Sequence, residues 1–260
     1  MSLHLLYLAV WALIVISIPA TALDNATGLI ITIGAIGLWR YCWVLTNFAR
    51  ALYYIRRVYP KRREKAASLY ARRANPAHAF FVVTTYKIDT ATTAAVYRSV
   101  LLAASQARGG ATVIASVVDA ADERLIRKIF AREPADSLVT LIIDRIAGTG
   151  KRDALSRSLG IIATHCPTEH DIVILVDGDT CVPFDVVART APFFTLENVG
   201  ALTTDERCEI RDRSLFRDWY GLRFTQRQLM MSSLALGGRV LTLTGRMSNA
   251  STFRRRCPRG

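Results

Sequence analysis

Asp171-Ile172-Val173-Ile174-Leu175-Val176-Asp177-Gly178-Asp179 decides how this chain reads. The run 171–176 is short and apolar, the pattern of a strand buried on both faces of a sheet. It delivers two carboxylates, Asp177 and Asp179, one residue apart at the strand's C-terminal end. Two carboxylates so placed can share one ligand. An oxygen-only donor set suits Mg2+ or Mn2+, ions that bind through one or two carboxylates and complete their shell with substrate phosphates. A D-x-D pair at this place suits a nucleotide diphosphate held through a metal. The same short pair also occurs as plain turn residues, so its neighbours must decide.

Outward from this stretch the pattern alternates. Residues 79–85 (AFFVVTT) read as a strand, and 90–106 as a helix stopped by Gly109-Gly110. A strand over 111–118 ends at Asp119, a helix covers 122–132, and a strand covers 138–143. A helix over 151–165 leads to the 171 strand. A helix over 183–194, with Pro183 near its start, a strand over 199–203 and a helix over 213–236 follow. Strands separated by helices imply a mostly parallel, Rossmann-type α/β sheet covered on both faces. Such sheets bind ligands outside the carboxyl ends of their strands.

Three features fall at that edge: Asp177 with Asp179, Asp119, and the loop Gly148-Thr149-Gly150-Lys151. Asp119 reads equally as a ligand group and as a cap residue after a strand. The loop is not a Walker A motif. Arg145 stands where that motif needs its first glycine, and Arg152 where it needs Ser or Thr after the lysine. A glycine-rich turn that opens a helix, with Lys151 and Arg152 at its mouth, nevertheless suits an anion. The 213–236 helix carries Arg217, Arg223 and Arg227 among aromatics, and reads as a solvated amphipathic helix before it reads as an acceptor site.

The chain has 260 residues, 51% of them hydrophobic, and a formal net charge of +13. That charge points to nucleic acid, anionic lipid or an anionic substrate. The cysteines (Cys42, Cys166, Cys181, Cys208, Cys257) form no C-x-x-C pair and no zinc spacing, as expected of reduced thiols in a cytoplasmic domain. The apolar residues concentrate at the N-terminus. Residues 3–23 are almost wholly apolar and uncharged, long enough to span a bilayer core of about 30 Å. Residues 28–49 form a second candidate span, with Arg40 snorkelling or facing protein. Asp24 and Asn25 read as a polar turn between the two, and Trp39, Tyr41 and Trp43 as an interfacial belt. Ala20-Thr21-Ala22 also resembles a signal-peptide cleavage site, but the n-region has no Lys or Arg. A basic collar follows, from Arg50 through Arg56, Arg57, Lys61, Arg62, Arg63 and Lys65 to Arg72 and Arg73, against Glu64 alone. The positive-inside rule puts this collar in the cytoplasm. It also accounts for much of the net charge, so nucleic acid is not needed as a partner.

In order and spacing, these pieces resemble the membrane-bound, processive family-2 glycosyltransferases, such as the cellulose and hyaluronan synthases. The resemblance rests on Val83-Thr84-Thr85-Tyr86, Asp119, Gly150-Lys151-Arg152 and Leu175-Val176-Asp177-Gly178-Asp179-Thr180. Within that family the alginate synthase (polymannuronate) type is most similar. There the matching stretches are Gly148-Thr149-Gly150-Lys151-Arg152-Asp153, Thr203-Thr204-Asp205-Glu206 and Leu241-Thr242-Leu243-Thr244-Gly245-Arg246-Met247-Ser248. The resemblance implies a GT-A fold and an inverting mechanism. It implies nucleotide-sugar contacts from Thr85, Tyr86, Asp119, Lys151 and Asp177, and a Mg2+ or Mn2+ ion on Asp179 and Asp177. Asp119 would meet the nucleobase and Lys151 the diphosphate. The donor would be GDP-mannuronate and the acceptor a growing β-1,4 polysaccharide. The site would be the bacterial inner membrane, with other synthase or export subunits as partners.

These readings divide the chain into a membrane hairpin (1–49), a basic juxtamembrane linker (50–77), an incomplete GT-A domain (78–248) and an atypical basic tail (249–260). Family members carry an acidic base and a Q-x-x-R-W segment well beyond the turn at Thr244-Gly245. Neither occurs in these 260 residues, and Asp205-Glu206 comes too early to be that base. The expectation is therefore donor binding without polymer formation. Two alternatives remain: a polysaccharide synthase that uses a UDP-sugar, and a non-catalytic, membrane-anchored nucleotide-sugar-binding protein.

Overall fold

The computed structural model describes residues 9, 12–13, 16–17, 20–132, 138–197, 199–204, 214–238 and 246–249, with backbone only over 20–32 and 246–249. Four strands build the centre: β1 (Ala79–Thr85), β2 (Ala111–Val117), β3 (Val139–Arg145) and β4 (Ile172–Asp177). All four are parallel, in the order β3-β2-β1-β4. Two short strands, β5 (Ala201–Thr203) and β6 (Arg246–Asn249), extend the sheet beyond β4, with β6 antiparallel to both of its neighbours. The expected mostly parallel α/β sheet is thus the one observed.

Period-two alternation on β1 splits the core into two layers. Phe81 and Val83 face helix α3 (Thr90–Ser105), where they pack with Val96, Tyr97 and Val100. Phe80 and Val82 face the other way, toward Ile162 on helix α5 (Lys151–Thr164). Helix α4 (Ala120–Arg132) joins the first layer through Ile126 and Ile129. Each fully buried side chain of this kind stabilises the fold by about 1.5–3 kcal/mol. Asp171 is not part of β4. Its carboxylate accepts N–H bonds from His78 (3.0 Å) and Thr168 (2.7 Å), fastening the amino ends of β1 and β4 together.

Several boundaries differ from expectation. Asp24 and Asn25 do not form a turn, because helix α1 runs unbroken through them from Ala20 to Tyr53. Two polar residues alone cannot end a helix that contains no proline. The basic juxtamembrane segment 50–77 carries regular structure. A π-helical turn (Tyr54–Val58) leads into helix α2 (Tyr59–Ala71), so the basic collar is largely helical. Pro60, which has no N–H to donate, lies just past that turn and explains the break in ordinary helical bonding there. Tyr59 stacks on Phe193 at 5.8 Å, which seats α2 on the domain. The helix expected over 183–194 is confined to α6 (Val186–Thr190) and a 3-10 turn (Ala191–Thr195) that contains Pro192. Helix α7 (Leu215–Ala235) packs beside α1. Among the described residues no helix is long and apolar enough to cross a membrane. Most of the 3–23 span, Asp205-Glu206 and the 240–245 stretch lie outside the described residues.

Candidate functional site

The register of the sheet brings the candidate residues to one edge. Thr84 is opposite Asp177, Thr85 opposite Val117, and Val117 opposite Arg145. The four parallel strands therefore end together. Tyr86, Asp119, the 146–150 loop and the 178–179 turn all leave the sheet at its carboxyl side. β1 lies at the centre of that edge: the chain runs from it through β2 to β3 on one side and then crosses back to β4 on the other. This is the crevice position of open α/β sheets.

Gly178 sets the approach of the two aspartates. A Cβ there would lie 2.5 Å from the Thr84 carbonyl oxygen and 2.7 Å from Ile88 Cδ1. Only glycine lets the turn press against the end of β1. The Thr180 N–H then donates to the Asp177 carbonyl at 2.9 Å and closes the turn. Asp179 is exposed, and its carboxylate accepts from the Thr180 hydroxyl at 3.3 Å.

Lys151 reaches across from α5 and donates to Asp177 Oδ1. It can do so because α5 begins there. Gly150 precedes it with φ 123° and offers no capping side chain, so the first N–H groups of the helix face the same crevice as the ammonium. Gly148, at φ 76°, bends the loop against Val118 and the Tyr86 ring. Tyr86 is about half exposed, and Lys87 Nζ lies 5.2 Å from its ring centroid. Asp119 accepts the Ala121 N–H at 3.2 Å, so it does cap α4 while standing at the edge. Burial, and secondarily the Asp119 charge, push the neighbouring Asp122 carboxyl above its ordinary value.

Tyr86, Asp119, Lys151, Asp177 and Asp179 are thus gathered at one edge, but the Thr85 side chain is not. Thr85 is buried, and its hydroxyl shares a 3.0 Å hydrogen bond with the Tyr97 phenol. Burial drives that phenol above its usual range. One further pair stands behind the loop. Arg157 on α5 makes a two-pronged contact with Asp144 at the end of β3, at 3.0 and 2.7 Å. No sequence signal marks it, because the partners lie on different elements.

Among the described residues no three His, Cys, Asp or Glu side chains converge as a metal shell. The donor set is two carboxylates, one of them already held by an ammonium. That set fits a divalent ion whose remaining positions go to phosphate and water rather than an all-protein cage.

Comparison with known proteins bears on the same residues. The family described as Glycosyltransferase like family 2 matches residues 76–257. Two curated relatives named Glycosyltransferase alg8 align over 246 residues, that of Pseudomonas syringae pv. tomato at 41% identity and that of Azotobacter vinelandii at 37%. Each alignment covers 94% of this chain and 50% of the relative, so the chain spans about half the length of the curated relatives it matches. Among solved structures, the mannosyltransferase PcManGT from Pyrobaculum calidifontis, in complex with GDP-Man and Mn2+, aligns with a TM-score of 0.39 at 16% identity. That alignment covers 62% of this chain and 48% of the other, a likeness too distant to argue from. The family match takes in the whole sheet, the Lys151 loop and the Asp177 turn, and the chain belongs to the family-2 glycosyltransferases.

Proposed function

We propose that this chain carries the donor site of an inverting, membrane-bound glycosyltransferase with a GT-A arrangement. The site takes GDP-mannuronate, and the product is the β-1,4 polymannuronate of alginate. The observation that carries the reading is the Lys151–Asp177 pair at the carboxyl edge, beside exposed Asp179. Similarity to the two alg8 glycosyltransferases supports the alginate reading.

Each residue has a physical task. Asp119 stands where a carboxylate can accept the N–H donors of a guanine edge. Tyr86 offers a ring face beside it. Lys151 and the first N–H groups of α5 meet the diphosphate, and the helix dipole adds to their charge. Asp177 and Asp179 would hold Mg2+ or Mn2+, which neutralises the leaving nucleotide diphosphate when bound. Gly178 holds the two aspartates against the end of β1. The basic collar and the apolar stretch 28–48 support placement on the inner membrane with the sheet on the cytoplasmic side.

Competition binding tests the donor. The chain in nanodiscs is incubated with labelled GDP and Mn2+, then challenged with GDP-sugars and UDP-sugars. GDP-mannuronate should displace the label best. Displacement by UDP-sugars at lower concentration would replace the donor assignment while leaving the site in place.

A further inference from the structure

The face of the sheet that meets α5 changes character along its strands. Toward the amino ends it is apolar, where Phe80, Val82, Ile114 and Val173 pack with Ile162. At the carboxyl ends a polar row crosses it. Asp144 is opposite Ser116, Ser116 opposite Thr84, and Thr84 opposite Asp177. Directly paired residues point to one face, and period two gives Thr84 the face of Phe80 and Val82. The row therefore runs from β3 through β2 and β1 to β4 on the α5 side, with a carboxylate at each end.

Helix α5 packs over the middle of this row, on β1 and β2. Its buried positions are Ala154 and Ser158 in the half nearer the site, and Ile162 farther along. Ala154 and Ser158 are too small to lock the helix against the row. The buried Ser116 and Ser158 hydroxyls have no hydrogen-bond partner among the described residues, so they do not tie helix to sheet either. Leu155 and Leu159 steady the flank that Lys151 occupies. At about 100° per residue, Lys151 and Arg157 fall on opposite flanks of the line through Ala154 and Ser158. They reach outward in opposite directions. Lys151 donates to Asp177 on β4, and Arg157 grips Asp144 on β3 with two bonds, at 3.0 and 2.7 Å. Level with the site, α5 is thus braced by one cation on each side. The two braces are unequal. Lys151 is a point charge on a flexible stem, and its ammonium is the group that a diphosphate would take. Arg157 presents a rigid planar fork to a buried carboxylate, a contact with a fixed direction.

We propose that Arg157 is a positioning residue for the donor: its fork on Asp144 sets how α5 lies on the sheet, and so places the Lys151 ammonium at the diphosphate. The proposal rests on the donor-site reading above and deepens it with a residue on the far flank of the same helix. Arg157 touches no ligand in this account and acts through Lys151. When the ammonium shares its hold on Asp177 with a diphosphate, the Asp144 contact remains to keep the start of α5 in place.

A double-mutant cycle on binding tests it. Arg157→Lys keeps a cation beside the buried Asp144, so the chain is not left with a stranded carboxylate, but it removes the fork. The affinity for GDP in Mn2+ is measured on the full chain in nanodiscs, in four forms: native, Lys151→Met, Arg157→Lys and the double variant. With Lys151 present, Arg157→Lys should weaken GDP binding by about threefold to tenfold, the range of a misplaced charge-assisted contact. In the Lys151→Met background the same change should cost little or nothing, because the group that Arg157 places is gone. A purely structural role would weaken binding equally in both backgrounds, and that result would overturn the proposal. So would unchanged affinity of Arg157→Lys alone. The forms that keep Arg157 test the reading beneath it. If the native chain binds no GDP, or Lys151→Met binds it as tightly as the native chain, the donor-site reading itself fails. If Lys151→Met binds weakly and Arg157→Lys does not, only the present proposal fails.

Discussion

At the scale of single residues, Lys151 shows why magnitude matters. Its ion pair with Asp177 is half exposed, and pairs of that kind contribute about 0.2–1 kcal/mol to stability. The pair does little to hold the fold, so its value lies in what it presents to a ligand. Lys151→Met should leave the melting temperature nearly unchanged while nucleotide diphosphate binding falls by about tenfold or more, the loss expected of a charge-assisted contact. Thermal denaturation and equilibrium binding on the same sample check both halves; an unstable variant would mean the lysine is structural. Asp122 gives a pH test. Burial and then the Asp119 charge raise its carboxyl above the ordinary 3.8. The stability it contributes is full below that value and is lost as pH rises through the raised one. Asp122→Asn should therefore raise the melting temperature at neutral pH, with the gain vanishing near pH 3. A gain that persists in acid would contradict the assignment. The lesson of Thr85 is also a residue-scale one. It shares the face of Phe81 and Val83, so period two already turned it inward. The partner that holds it there, Tyr97, lies on α3 and leaves no mark in the β1 sequence.

At the scale of elements, the Asp144–Arg157 contact ties the end of β3 to α5, the helix that begins with Lys151. Its two partners are unequally exposed, the Asp144 side chain at 9% and that of Arg157 at 53%. Removing the arginine strands a buried carboxylate, whereas removing the carboxylate leaves a guanidinium that water can reach. Arg157→Ala should therefore destabilise more than Asp144→Ala. Chemical denaturation measures both, and the reverse order would contradict the burial argument. The same contrast explains what was legible. Strands β1, β2 and β4 were readable because parallel strands buried on both faces are continuous apolar runs. The carboxyl edge followed from their order. The 183–194 segment departs from its sequence pattern because Pro183 and Pro192 both suit a helix start, and the second one shortens the helix. Asp24 and Asn25 form no turn because local polarity carries little weight within a 34-residue helix.

At the scale of the molecule, two surfaces divide the labour. The sheet's carboxyl edge gathers two carboxylates, an ammonium and a helix N-terminus into a site for an anionic donor. The α1–α7 side, with the basic collar, exposes apolar and cationic side chains. The first was legible because α/β sheets place ligands by topology. The second was legible only in α1 and the collar, because the attachment of α7 depends on the Ser233–Asn47 contact between residues 186 positions apart. Everything functional turns on whether the Asp177–Asp179 turn holds a nucleotide diphosphate through a divalent ion. Titration calorimetry with GDP, on the chain and on Asp179→Asn, in Mn2+ and in EDTA, measures it most directly. The account predicts binding by the native chain in Mn2+, most of it lost in EDTA and in the variant. Equal affinity in all of these conditions would contradict it.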